Sequence, residues 1–137
     1  MKTFFTAFSF LFLFSQLNFI NAQYQLGENW VAGYNGTGNA TDVGRSVAVD
    51  AAGNVYVTGS SYGTAGAEDY LTIKYNSTGV QQWVQRYNGS GNSADEAFAI
   101  VVDASGNVYV TGGSTGSSNG MNYVTIKYNG SGVQQWI

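Results

Sequence analysis

The sequence has 137 residues, with five basic and eight acidic side chains, a net charge of −3, and no proline, cysteine or histidine. Without cysteine or histidine the chain can hold no disulfide scaffold, no Ser–His or Cys–His nucleophile and no ordinary zinc site. A lightly charged, acidic chain also lacks the basic footprint that nucleic acid requires.

In chain order, the first element is an export signal. Met1-Lys2-Thr3 leads into an apolar run from Phe4 to Phe14, followed by the more polar Ser15 to Asn21 and then Ala22. One positive charge, about ten apolar residues and a small residue before the cut describe a signal peptide. A membrane anchor is the alternative, but a spanning helix needs ~20 apolar residues, and Ser15, Gln16 and Asn18 interrupt this run. The sequence therefore predicts cleavage near Ala22. The mature chain would start at Gln23, carry no membrane span, and be secreted, surface-bound or periplasmic.

The next feature is a repeat. Trp30, Trp83 and Trp136 stand 53 residues apart, and about 30 of the 53 positions in 30–82 recur in 83–135. Tyr34-Asn35-Gly36 answers Tyr87-Asn88-Gly89, Gly53–Gly59 answers Gly106–Gly112, and Gly79–Trp83 answers Gly132–Trp136. A fixed period near 50 residues points to units that bury their apolar faces against one another. The expected division is a signal at 1–22, a short segment at 23–29, repeats at 30–82 and 83–135, and the opening of a third at 136–137.

Within one period the pattern predicts four strands. Ser46–Asp50 is a short apolar strand, and Asp50–Asn54 a tight turn in which Gly53 takes positive φ and Asp50 bonds back to the backbone. Asn54–Ser61 alternates Val55 and Val57 with Tyr56 and Thr58. A looser loop spans Tyr62–Asp69, and Tyr70–Asn76 alternates again. After the turn Asn76–Gly79, Val80–Asn88 forms the fourth strand around Trp83. The second period repeats this from Ala99, with Asp103 and Gly106 at the first turn, and Trp30–Tyr34 reads as a preceding fourth strand. Four antiparallel strands with two apolar faces describe an all-β fold of propeller blades.

Here the sequence resembles a known family. Val49–Gly59 (Val-Asp-Ala-Ala-Gly-Asn-Val-Tyr-Val-Thr-Gly) and its counterpart Val102–Gly112 resemble the bacterial seven-bladed β-propeller repeat, SBBP. The Tyr-Leu-Thr-Ile-Lys-Tyr-Asn and Gly-Val-Gln-Gln-Trp elements resemble it too. The resemblance implies a propeller in exported or surface proteins of bacteria, and no catalytic motif. Propellers close with about four to eight blades. Two periods thus suggest a piece of a longer protein or, as second choice, several copies sharing one ring. Asn76–Trp83 also resembles the tryptophan-docking motif of quinoprotein-type propellers, which implies that Trp30, Trp83 and Trp136 lock neighbouring blades. That family's quinone-binding residues have no counterpart here.

The acidic candidates for chemistry are Glu28, Asp42, Asp50, Glu68, Asp69, Asp95, Glu96 and Asp103. Asp50 and Asp103 precede Gly-Asn turns, where an Asx-type bond is the ordinary role. The recurring loops Tyr34–Asp42 and Tyr87–Asp95 are rich in oxygen ligands and glycine, so calcium is a minor candidate. They have no EF-hand spacing, and a crossing between blades accounts for them better. The sites Asn35, Asn39, Asn76, Asn88 and Asn129 fit Asn-x-Ser/Thr, and in a bacterial chain serve as turns. Neither recurring pair, Asp42/Asp95 or Asp50/Asp103, reads as buried beside a partner.

Two tight turns share one end of each blade, whereas the second-to-third loop and the crossing share the other and differ most between periods. Long variable loops on a rigid scaffold are where binding usually resides. A protein or glycan ligand should therefore meet the end bearing Asn39, Asp42, Glu68, Asp69, Asn92 and Asp95. The expected function is a non-enzymatic, exported structural or binding module. The alternative is the propeller portion of a glycan-active enzyme whose catalytic residues lie elsewhere.

Overall fold

The computed structural model describes residues 29–64, 66–118 and 120–137. The expected signal segment at 1–22, Gln23 and Glu28 lie outside them. The described residues form eight strands and no helix: β1 (Asp42–Val49), β2 (Val55–Tyr62), β3 (Glu68–Tyr75), β4 (Gln81–Tyr87), β5 (Asp95–Val102), β6 (Val108–Thr115), β7 (Met121–Tyr128) and β8 (Gln134–Trp136). Each run of four is one antiparallel sheet in sequential order, β1-β2-β3-β4 and β5-β6-β7-β8. These are two propeller blades, and their registers repeat: Val57 faces Ile73 across the first as Val110 faces Ile126 across the second.

The two turns that close each blade are fixed by one side chain apiece. Asp50 Oδ1 accepts the Ala52 and Asn54 N–H groups at 2.9 Å each, while Oδ2 accepts the Asn54 amide and the Tyr56 hydroxyl. Asp103 does the same with Ser105, Asn107 and Tyr109, and Gly53 and Gly106 turn the chain at φ 78° and 79°. At the second turn Asn76 Oδ1 accepts the Thr78 and Val80 N–H groups.

These bonds favour the carboxylate form. The Asn107 amide and N–H hold the Asp103 carboxyl down at about 2, helped by Tyr109 and Ser105. Burial pushes Asp50 up, but the Asn54, Tyr56 and Ala52 donors outweigh it and the net direction is down. Both folded values lie below the unfolded 3.8, so the stability they lend is complete above about pH 4 and lost as pH falls toward ~2. Asp103→Asn should flatten the acid limb of a plot of melting temperature against pH. Superimposable acid limbs for variant and wild type would remove the carboxylate from this role.

Three boundaries differ from the sequence reading. The first strand starts at Asp42 rather than Ser46, because a bulge between Gly44 and Ser46 lets the unpatterned Asp-Val-Gly-Arg stretch join the ladder. The second-to-third loop is shorter than Tyr62–Asp69, since Glu68 pairs with Tyr62 and Asp69 with Ser61. Trp30–Tyr34 is not a strand, for it has no strand to ladder with among the described residues.

The blades meet through β5, which lies against β1, β2 and β3. Tyr56, Tyr70, Ala97, Ile100, Val108, Val110, Ile126 and Tyr128 are buried together there. At about 25 cal/mol per Å² of apolar surface removed from water, this packing is the main support of a chain without disulfides. Leu71, Ile73 and Tyr75 form a second cluster on the first blade's other face, covered by Trp30 and Tyr34.

The tryptophans sit at this stacking. Trp83 projects from β4 onto Gly132 of the next blade, lies 6.1 Å from the Tyr128 ring, and donates Nε1–H to Gly130 O at 3.2 Å. Trp30 repeats the arrangement on Gly79, 5.9 Å from Tyr75. Gly132 has φ 81°, and a Cβ there would stand 2.8 Å from the Trp83 ring. Glycine is thus required twice over, for backbone and for space. Trp83 and Trp30 are half-buried rather than enclosed, and Trp136 is 47% exposed.

Candidate functional site

The loop end is built from the crossings 35–41 and 88–94 and the second-to-third loops 63–67 and 116–120. Crossing and loop are joined by backbone bonds, Gly38 N–H to Tyr62 O and Tyr62 N–H to Thr41 O. At the opposite end the two tight turns abut, with Gly53 against Ser77. The division into a tight-turn end and a loop end follows from this pairing.

The six candidate residues lie at the loop end but differ in what they can offer. Asn39 and Asn92 are exposed, and both adopt the left-handed region, φ 47° and 46°. Asparagine tolerates that region better than most residues. A side-chain bond steadies each, Asn35 to Asn39 at 2.7 Å and Asn88 to Asn92 at 3.1 Å. Glu68 is half-buried at the start of β3.

The aspartates are turned inward. Asp95 is fully buried, accepting the Gly89 N–H at 2.6 Å and the Thr115 N–H at 3.1 Å. This corrects the reading of Asp42/Asp95 as unburied: the crossing folds back over the carboxylate, and its N–H groups replace water. Asp42 likewise accepts the Gly36 N–H at 2.8 Å. Asp69 is buried in an ion pair with Arg86 at 3.0 Å.

Arg86 also donates to Ser61 O and Ser61 Oγ, each at 2.7 Å. The sequence reading did not single it out, because in Val84-Gln85-Arg86 it resembles a solvated strand residue. The one available signal was Asp69 as a strand-end acid on the neighbouring strand. Such a half-buried pair chiefly avoids leaving Asp69 uncompensated.

What remains at the surface is a set of amides and hydroxyls on braced loops, suited to hydrogen-bonding a polar ligand. Among the described residues no group of three or more acidic side chains converges. Asp42 through Oδ2, and Asp95, are engaged by backbone N–H groups, and Asp69 by Arg86. A separate cleft of about 250 Å³ lies on the first blade's outer face, between Trp30, Tyr34, Val57, Leu71 and Tyr75.

The comparison with known proteins agrees with the blades. No curated protein matches the chain. Residues 23–65, running from before Trp30 through β1 and β2, match the family model described as SBBP, Beta-propeller repeat. With that match beside the recurring Asp–Gly–Asn turns and the two four-stranded blades, residues 23–65 are similar to an SBBP β-propeller repeat.

Proposed function

We propose that this protein is an exported, non-enzymatic propeller module that binds a glycan or protein through its loop end, at the bacterial surface or outside the cell. The observation that carries the reading is the contrast between the ends. One is closed by self-satisfied turns of identical build. The other presents Asn39 and Asn92 on the recurring crossings and Glu68 beside a second-to-third loop whose sequence differs between the blades. Paired backbone holds those loops, so their polar groups are pre-positioned, which lowers the entropy cost of binding.

Glycan-array capture tests the ligand reading. Asn39→Gly, Asn92→Gly and Glu68→Ala keep the backbone permissible and should lose captured signal while the melting temperature holds. Ala51→Lys and Ala104→Lys, exposed at the tight-turn end, should bind normally. Loss confined to the lysine variants would overturn the assignment of the face. Export is checked separately. Protein recovered from the native host should begin at or near Gln23, and recovered chains still starting at Met1 would refute it.

A further inference from the structure

The two outward faces of this blade pair match each other. At the internal contact Tyr70 of β3 is 1% exposed, its hydroxyl donates to Val124 O at 3.3 Å, and its ring stands edge-on to Tyr87 at 5.5 Å. One period later Tyr123 holds the same station on β7, and it is 88% exposed. On the first blade, the station one period before Tyr70's surroundings is the 250 Å³ cleft. Val57, Leu71 and Ile73 line it where Val110, Val124 and Ile126 pack with Tyr70.

The polar end of the cleft is unfinished. Asp42 Oδ1 and Ser60 Oγ line it and are buried with no hydrogen-bond partner among the described residues. Buried polar atoms are nearly always satisfied. Leu71 O accepts from Thr58 at 2.9 Å, as Val124 O does from Thr111 at 3.1 Å, and a carbonyl has a second lone pair to offer. A phenol entering here would find an acceptor at the place where Tyr70 finds one.

We propose that the Tyr123 face of one copy seats in the Asp42–Leu71 cleft of a second copy, so that the chain assembles head to tail through the contact it already makes internally. A second copy is singled out because both faces change together. Internally Arg45 pairs with Glu96 at 2.9 Å. One period on, the Arg45 station is Phe98, and one period back, the Glu96 station is Val43. A second copy thus sets Phe98 against Val43, an apolar pair in place of an ion pair, with no charge unmatched. Val47, 62% exposed, would gain the cover that Ile100, 6% exposed, already has.

Residues 30–34 prepare the joint. Trp30 already rests on Gly79 as Trp83 rests on Gly132, and Tyr34 stands one period before Tyr87, the ring Tyr70 packs on. Trp136 of the incoming copy holds the same station as Trp30, so one of them leaves. β8 is exposed along its length and pairs only through Lys127 and Tyr128, so β8 yields.

Sedimentation of the purified protein, with two variants, tests this. Tyr123→Ser removes the key from a solvent-exposed position and cannot harm the single copy's packing. Gly44→Leu fills the cleft from a residue with open backbone geometry and only an ordinary contact to Val57 at 3.6 Å. Wild type should form dimers or larger species as concentration rises, and each variant alone should fall to the mass of one chain. Mixed, they should form a one-to-one dimer and stop, since Tyr123→Ser retains the cleft and Gly44→Leu retains the key. Three results would overturn the proposal: a monomeric wild type at the highest attainable concentration, which leaves the face to a blade of a longer chain; association insensitive to both variants; or a mixture that stays monomeric. None depends on the loop-end ligand.

Discussion

Gly112→Ala should cost at least about 3 kcal/mol, a large part of the ~5–15 kcal/mol that holds a domain together. Gly112 pairs with Ala97 beside the bulge that falls between Ala97 and Ala99. There the two strands approach so closely that a Cβ would overlap Glu96 O and stand 2.7 Å from the Ala97 Cα. Both obstacles are backbone, so no side chain can rotate away, and the ladder between β5 and β6 must part. Gly59 meets Val43 O in the same way in the first blade, so Gly59→Ala should behave alike. Gly120 is the control: a Cβ there meets nothing within 4 Å, and Gly120→Ala should fall within about 0.5 kcal/mol of wild type. Urea unfolding midpoints measure the difference. A Gly112→Ala midpoint equal to that of Gly120→Ala would show that the close approach is not a constraint.

Trp83→Ala should lower stability by about 3 kcal/mol, near the bottom of the range for removing a core aromatic, because Trp83 is half-buried. It loses the contacts with Tyr56, Tyr128 and Gly132 and the bond to Gly130 O together. For a chain this size that corresponds to a fall in melting temperature of roughly 10 °C or more. Trp136→Ala, the same residue one period later, should cost under about 1 kcal/mol, since among the described residues no blade packs on it and it is 47% exposed. The pair separates a lock between blades from a role inside one blade. Equal losses at the two positions would place the contribution in the shared contact each tryptophan makes with its own blade, Trp83 with Tyr56 and Trp136 with Tyr109.

The repeat, the all-β class and the turns were legible because each is written in local chemistry. Asp50-Ala51-Ala52-Gly53-Asn54 specifies its own turn: the aspartate can reach the N–H groups two and four residues on, and the glycine supplies positive φ. Strand ends next to such turns were therefore read to within one or two residues. The start of β1 was not, since Asp42–Arg45 carries no alternation, and pairing across a bulge depends on the partner strand. The inward turn of Asp69 and Asp95 was not legible either, because a carboxylate near a loop looks the same whether it meets water, Arg86 or the Gly89 N–H.

Tyr70 and Tyr123 mark the limit most clearly. The sequence by itself determined that both are tyrosines in a third strand, at the same station and on the same face of equivalent blades. Only the tertiary structure decided that the first is enclosed and the second open. Burial belongs to the contact between two sheets rather than to the residues of one: β5, β6 and β7 present a surface to Tyr70, and among the described residues no sheet does so for Tyr123.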